Sequence, residues 1–190
     1  MIAIIHCKRV NMKKHKILFT SDSHFGHKNI LEFCNRPFQN THEMNETLIK
    51  NWNSVVGPKD EIYHLGDFGL ASPNYIRSIL ERLNGRKFLI VGNHDKSTLK
   101  CSDMFEWVKH LHTLKIQDKR ARGGVRKVIL CHYAMRVWDA SHYGSYHLYG
   151  HSHGTLPEND TLSFDVGVDS WDFTPITYEQ VREKMEKKMS

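Results

Sequence analysis

The sequence predicts an α/β domain whose first half builds a parallel sheet and whose second half is richer in β structure. Three observations predict it. Short apolar runs at Ile17-Leu18-Phe19, Ile62-Tyr63-His64-Leu65 and Phe88-Leu89-Ile90-Val91 are separated by two stretches of helical periodicity, the order that right-handed crossovers require. From Val125 onward, apolar runs follow one another with turn residues between them, and only the last stretch reads as a helix. Finally, five strand ends carry Asp, Asn or His: Asp22-Ser23-His24, Gly66-Asp67, Gly92-Asn93-His94-Asp95, His132 and Gly150-His151-Ser152-His153. Ligand sites of open α/β sheets lie at the carboxyl ends of strands, so these ends are where chemistry is expected.

Residues 1 to 15 have no clear period and Met12 reads as an alternative start, so we read them as an N-terminal extension to a single domain of residues 16 to 190. Residues 16 to 20 form a strand, and the loop at 22 to 27 follows it. A short helix at 28 to 34 is broken by Asn35-Arg36-Pro37. Asn40 and Glu43 have the form of a capping box, and Met44, Leu48, Ile49, Trp52, Val55 and Val56 then recur at helical spacing as a core-packing stripe. Residues 60 to 65 are the second strand. Ser72-Pro73 is an N-cap followed by a first-turn proline, Ile76, Ile79, Leu80 and Leu83 make a buried face, and Asn84-Gly85 ends the helix. The third strand is 87 to 91. Beyond Asp103 the pattern blurs: 104 to 108 fits helix or strand, 110 to 116 alternates weakly, and Arg122-Gly123-Gly124-Val125 reads as a hairpin turn. Strands are expected at 125 to 131, 146 to 149 and 163 to 168, and an amphipathic helix at 177 to 189.

A chain of 190 residues with 39% apolar content can bury one core. No apolar stretch approaches the roughly 18 residues of a membrane span, and Met1-Ile2-Ala3-Ile4-Ile5 is too short and lacks the basic flank of a signal peptide. The expectation is a soluble, cytoplasmic protein without a membrane partner. Cys7, Cys34, Cys101 and Cys131 form no C-x-x-C pair, which argues for reduced thiols and against a disulfide framework or zinc knuckle. The formal charge of +6 would attract phosphorylated substrates or nucleic acid. Part of it is terminal, at Lys8, Arg9, Lys13, Lys14 and Lys16 and at Lys184, Lys187 and Lys188, with no interleaved aromatics, so solvated ends are favoured over a nucleic-acid groove.

Asp22 and His24 put two ligands on one short turn, pointing the same way because side chains alternate in an extended chain. His151 and His153 repeat this with imidazoles, and Asp67 and Asn93 add oxygen donors. Imidazole, carboxylate and amide oxygen together suit borderline divalent metals such as Mn, Fe, Co, Ni or Zn, and the absence of thiolate argues against structural zinc. Seven such ligands exceed what one metal with an open position can use. The count implies two metals sharing a carboxylate.

The five blocks resemble those of calcineurin-like metallophosphoesterases, in that family's order, over residues 22 to 153. The resemblance implies a four-layer α/β/β/α sandwich of two mixed sheets flanked by helices, the metallo-dependent phosphatase-like fold. It implies Asp22, His24 and His153 on one metal, Asn93, His132 and His151 on the other, and Asp67 bridging both, with manganese favoured. His94 would be the general acid, with Asp95 beside it to orient the ring or raise its pKa. Two metals roughly 3.5 to 4 Å apart can hold a bridging hydroxide for in-line attack on phosphorus. One departure stands out: many relatives follow Gly-Asp with a second acid three positions on, where this chain has Leu70.

His27, Arg36 and Arg136 are candidate substrate contacts; Trp138 reads as packing, and Asp165 and Asp169 as structural. The expected function is a dinuclear metal-dependent phosphoesterase. A diesterase is preferred, because a compact chain without a cap domain leaves an open site. The alternatives are a phosphomonoesterase or nucleotide pyrophosphatase, a nuclease, and a non-catalytic scaffold, which has no need of His94. The implied substrate is a small phosphoester or a nucleotide.

Overall fold

The computed structural model describes residues 15–157 and 160–189, so residues 1–14 of the expected extension, Cys7 among them, lie outside the described residues. The elements relevant to the site are β1 (Ile17–Thr20), α1 (Ile30–Phe33), α2 (Thr41–Val55), β2 (Glu61–His64), α3 (Pro73–Arg82), β3 (Arg86–Ile90), β4 (Trp107–Lys109), β5 (Leu111–Gln117), β6 (Val125–Cys131), β7 (Tyr146–Tyr149), β8 (Ser163–Asp165), β9 (Ile176–Thr177) and α4 (Tyr178–Met189). They form two mixed sheets with flanking helices, ordered β4-β3-β2-β1-β9 and β5-β6-β7-β8. The expected α/β architecture is present.

In the first sheet β1 to β4 run parallel and β9 is antiparallel to β1. Each central strand is apolar on both faces, because both are covered. Leu18, Ile62 and Leu89 face the helices and pack with Met44, Leu48, Trp52, Ile76 and Leu80. Their neighbours Phe19, Tyr63 and Phe88 face the second sheet and pack with Val128, Leu130, Tyr146 and Leu148. Val181 and Met185 of α4 join that inter-sheet cluster. Among the described residues, no helix is long and apolar enough to cross a membrane.

Local signals behave as expected where they are strong. The Asn40 side chain accepts from Glu43 N at 3.0 Å, and the Glu43 carboxylate reaches back to Gln39 N at 2.8 Å, so α2 is capped from both sides. Ser72 accepts from Tyr75 N at 3.3 Å ahead of Pro73 at the start of α3. The ambiguous stretch 104–108 ends in strand β4, since Trp107 packs its ring 5.2 Å from Phe88 and 5.9 Å from Tyr63 across the sheet. The strand expected at 163 to 168 is shorter: Gly167 leaves it to bridge Ser21, and Val168 N donates to Ser21 O at 3.1 Å, tying the two sheets together beside β1. The two-residue strand β9 gave no pattern that could announce it.

A buried polar cluster closes the far end of the inter-sheet core. The Tyr178 hydroxyl donates to Asp118 Oδ2 at 2.6 Å, Arg120 N donates to Oδ1 at 3.0 Å, and Arg182 lies 3.9 Å away. Burial alone would raise the Asp118 carboxyl, but these partners hold it below the ordinary carboxylate range. A depressed folded pKa contributes stability above the unfolded value, lost as pH falls through the folded one. Tyr178→Phe should therefore lower the unfolding free energy by about 1.5–3 kcal/mol at neutral pH, with a smaller penalty in acid, as read by urea denaturation at both conditions.

Candidate metal centre

β1, β2 and β3 are parallel and in register, so Asp22, Asp67 and Asn93 emerge from one sheet edge. β6 and β7 are parallel in the second sheet, so His132 and His151 emerge from its edge, and Gly150 N donates to His132 O at 2.9 Å. The turns are sharp. Asp22, His24, Asp67, His151 and His153 all have left-handed backbone, with φ of 56°, 52°, 55°, 66° and 48°. Such conformations cost non-glycine residues energy and persist where surrounding bonds over-determine them. Two glycines permit the close approach: a Cβ at Gly92 would fall on the Asp67 carboxylate, and one at Gly150 on Ser21 and Asp22.

The candidate ligands fall into two groups. Asp22, His24 and His153 place ligand atoms within 4.8 Å of one another, and so do Asp67, His132 and His151. Asn93 Oδ1 joins the second group, 3.1 Å from His132 Nε2. Asp67 Oδ2 lies 3.6 Å from His24 Nε2 and 3.6 Å from His132 Nε2, so one carboxylate oxygen faces both groups. The structure therefore brings together all seven expected ligands.

Divalent cations fit this donor set on three grounds. Asp22 Oδ1 and His24 Nε2 are buried without a hydrogen-bond partner, an arrangement that is costly for polar atoms unless something else satisfies them. Burial pushes the Asp22 carboxyl up to about 8 against the opposing pull of His153, and burial, then His153, pulls the His24 imidazole far down, which keeps it neutral as a ligand must be. Two of the imidazoles are also anchored through Nδ1, which leaves Nε2 on the side of the other ligands. His132 Nδ1 is 2.8 Å from Leu65 O, an acceptor only, so Nδ1 carries the proton and Nε2 presents its lone pair. His153 Nδ1 is likewise 2.7 Å from Asp169 Oδ2.

Asp169, which sequence reading placed among the structural residues, touches a candidate ligand through that bond to His153. Arg36 grips it with Nε and Nη2, both at 2.8 Å, and donates to Asp22 O at 2.7 Å and Ser23 O at 3.0 Å. Burial would raise the Asp169 carboxyl, yet His153 and Arg36 hold it below its usual range. Burial likewise works against protonated His153, but Asp169 and Asp22 leave it raised. The expectation that Arg36 contacts substrate is corrected: it is 4% exposed and its guanidinium is engaged by the first ligand loop and by Asp169. Nothing in the local sequence links residues 133 positions apart.

The expectation for Asp95 is corrected as well. Its carboxylate accepts from Asp67 N and Phe68 N at 2.9 Å and from Gly92 N at 2.8 Å, so it is directed at backbone amides of two ligand turns and not at the His94 ring. His94 itself is exposed, its ring 5.6 Å from that of His24, and its backbone N donates to Asp67 Oδ1 at 2.8 Å. His27 is half-buried, with Nδ1 3.3 Å from His24 Nδ1, at the wall of a cleft of about 600 Å³ that also takes in His94, His151 and His153. Arg136 is exposed and is not among the side chains lining that cleft. Trp138 is buried as expected, donating to Ser145 Oγ at 3.1 Å. Tyr133, which sequence reading gave no role of its own, sets its ring 4.8 Å from His151 and its hydroxyl 3.4 Å from Asn93 Oδ1.

If Asp169 fixes His153, Asp169→Asn should weaken divalent-metal affinity by about 10- to 100-fold in a chain that still folds, as measured by metal titration with circular dichroism as the folding control.

Comparison with known proteins agrees with the fold. An uncharacterized protein of Methanocaldococcus jannaschii is 54% identical over 87 residues, 45% of this chain and 49% of that protein, so the chain spans about half the length of this relative. The gene 66 protein of Mycobacterium phage L5 is 28% identical over 179 residues, covering 80% of this chain and 86% of the phage protein. The crystal structure of a protein of unknown function from Aquifex aeolicus superposes with a TM-score of 0.67 at 22% identity, over 90% of this chain and 99% of that one, a likeness of fold. The profile of the calcineurin-like phosphoesterases matches residues 15–155, a span that contains all five ligand blocks, and the chain belongs to that family.

Proposed function

We propose that the chain is a dinuclear metal-dependent phosphodiesterase. The observation that carries this reading is the position of Asp67 Oδ2, 3.6 Å from a histidine of each ligand group. Asp22, His24 and His153 would hold one divalent cation and Asn93, His132 and His151 the other, with Asp67 between them. A set of oxygen and imidazole donors without thiolate favours manganese, and iron, cobalt, nickel and zinc are compatible. Two such cations supply Lewis-acid activation of water and of the phosphoryl group, and neutralise charge gathered on its oxygens.

The chain's own residues do the rest. Leu65 O keeps His132 with Nε2 unprotonated, and Asp169 fixes the His153 ring through Nδ1. Asp95 and Arg36 hold the turns that bear Asp67 and Asp22. His94 stands free of both ligand groups at the cleft and delivers a proton to the departing ester oxygen. Its backbone N–H sits on Asp67 Oδ1 at 2.8 Å, so the acid and the shared carboxylate are placed by one hydrogen bond. The cleft is open, with His94, His151, Thr155 and Leu156 exposed along it, which accommodates a phosphorus bearing two substituents.

With manganese present, bis(p-nitrophenyl) phosphate should be hydrolysed faster than p-nitrophenyl phosphate; faster monoester turnover would overturn the diesterase assignment. His94→Ala should cut turnover by about 10² or more while leaving the metal content measured by elemental analysis unchanged. Asp67→Ala should instead lose metal, and exhaustive chelation of the wild-type chain should abolish activity that added manganese restores.

A further inference from the structure

The cleft has two chemically distinct halves. Histidines line one. In the other Phe33, Leu70 and Leu156 reach solvent with 72%, 40% and 46% of their surface exposed, above buried Ile30. Single exposed apolar side chains need no explanation, but three converging on one concavity beside candidate catalytic groups mark a binding surface. Leu70 is the position at which this chain departs from the acid carried by many relatives. The departure thus puts an apolar side chain at the cleft.

The apolar shelf begins one ring away from the reacting groups. The Phe33 ring meets the His27 ring edge-on at 6.3 Å, and His27 lies 5.2 Å from His24 and 6.2 Å from His94. A substituent on a phosphorus held beside His94 therefore passes the His27 ring to reach Phe33. None of the described residues lining the cleft is Lys or Arg, so a nucleic-acid backbone or polyphosphate finds no permanently charged cation in the lining. The volume of about 600 Å³ is that of a small-molecule site. Ser152 and Thr155 line the same cleft with hydroxyls that a base edge or ring substituent can use and a hydrocarbon chain cannot.

Resting on the phosphoester reading above, we infer that this cleft selects small phosphodiesters in which one ester group is a planar aromatic, seated on Phe33, Leu70 and Leu156. The recognising chemistry is stacking and apolar burial, which tolerate either a simple aryl group or a nucleobase.

The test uses the manganese-loaded chain and phosphonates, whose carbon–phosphorus bond resists hydrolysis, with binding read by calorimetry and by competition against bis(p-nitrophenyl) phosphate. Phenylphosphonate should bind about tenfold more tightly than methylphosphonate and more tightly than n-hexylphosphonate, on the scale of one stacked ring. Phe33→Ala should erase most of that preference, and Phe33→Trp should keep it; Phe33 is largely exposed, so both variants should melt like the wild type. Adenosine monophosphate binding more tightly than ribose 5-phosphate would assign the aromatic group to a base, and equal binding of those two beside a phenyl preference would assign it to an aryl ester. Equal affinity for phenyl- and methylphosphonate, tighter binding of the hexyl compound, or an unchanged preference in Phe33→Ala would overturn the inference. A phenyl preference in a chain that hydrolyses no diester would sink the diesterase reading and leave the aromatic subsite standing; diester hydrolysis without the preference would do the reverse.

Discussion

The geometry of the site depends on a buried carboxylate whose two oxygens are taken up by backbone amides. Asp95 gathers the amides of Asp67, Phe68 and Gly92 around its two oxygens, and those amides belong to the turns that follow two adjacent strands. Backbone amides cannot be left unsatisfied in so buried a place, and a carboxylate meets three of them at once. The consequence is positional. With both turns fixed, the Asp67 carboxylate can face both ligand groups while its other oxygen receives the amide of His94.

A buried ion pair does for the other half what Asp95 does for the first. Arg36 joins the carbonyls of Asp22 and Ser23 to Asp169, and Asp169 holds His153, so two ligands more than a hundred residues apart in sequence are locked by one guanidinium. A planar fork with five donors suits this task where a lysine would not. Five of the seven candidate ligands sit in left-handed backbone, which is stable only because these contacts leave the turns no alternative. The energy goes into aiming lone pairs at one point, which is how a protein preorganises a charged site.

The cleft completes this division. One half of it is lined by histidines, whereas the other half carries exposed apolar side chains and, among the described residues, neither lysine nor arginine. On the proposed reading, charge on the substrate is met at the centre, and shape and apolar contact are left to discriminate what is attached to it.

Much was legible in the sequence, for a physical reason: a strand buried on both faces reads as an unbroken apolar run, and its end must turn polar where it meets solvent. Phe88 to Val91 followed by Asn93 and His94 announces both a strand and a site, and the cap signals at Asn40 and Ser72 are local bonds that the chain makes with itself. The ligand set was legible because each member follows its strand immediately. What only the tertiary structure decided is the work of residues whose partners are distant. Asp95 adjoins His94 in sequence yet turns to another loop, Arg36 and Asp169 find each other across 133 positions, and β9 exists only because β1 offers it an edge. The sequence by itself determined which atoms could bind metal. The fold determined which oxygen faces both groups of them, because convergence of strand ends is a property of two packed sheets and of no single segment.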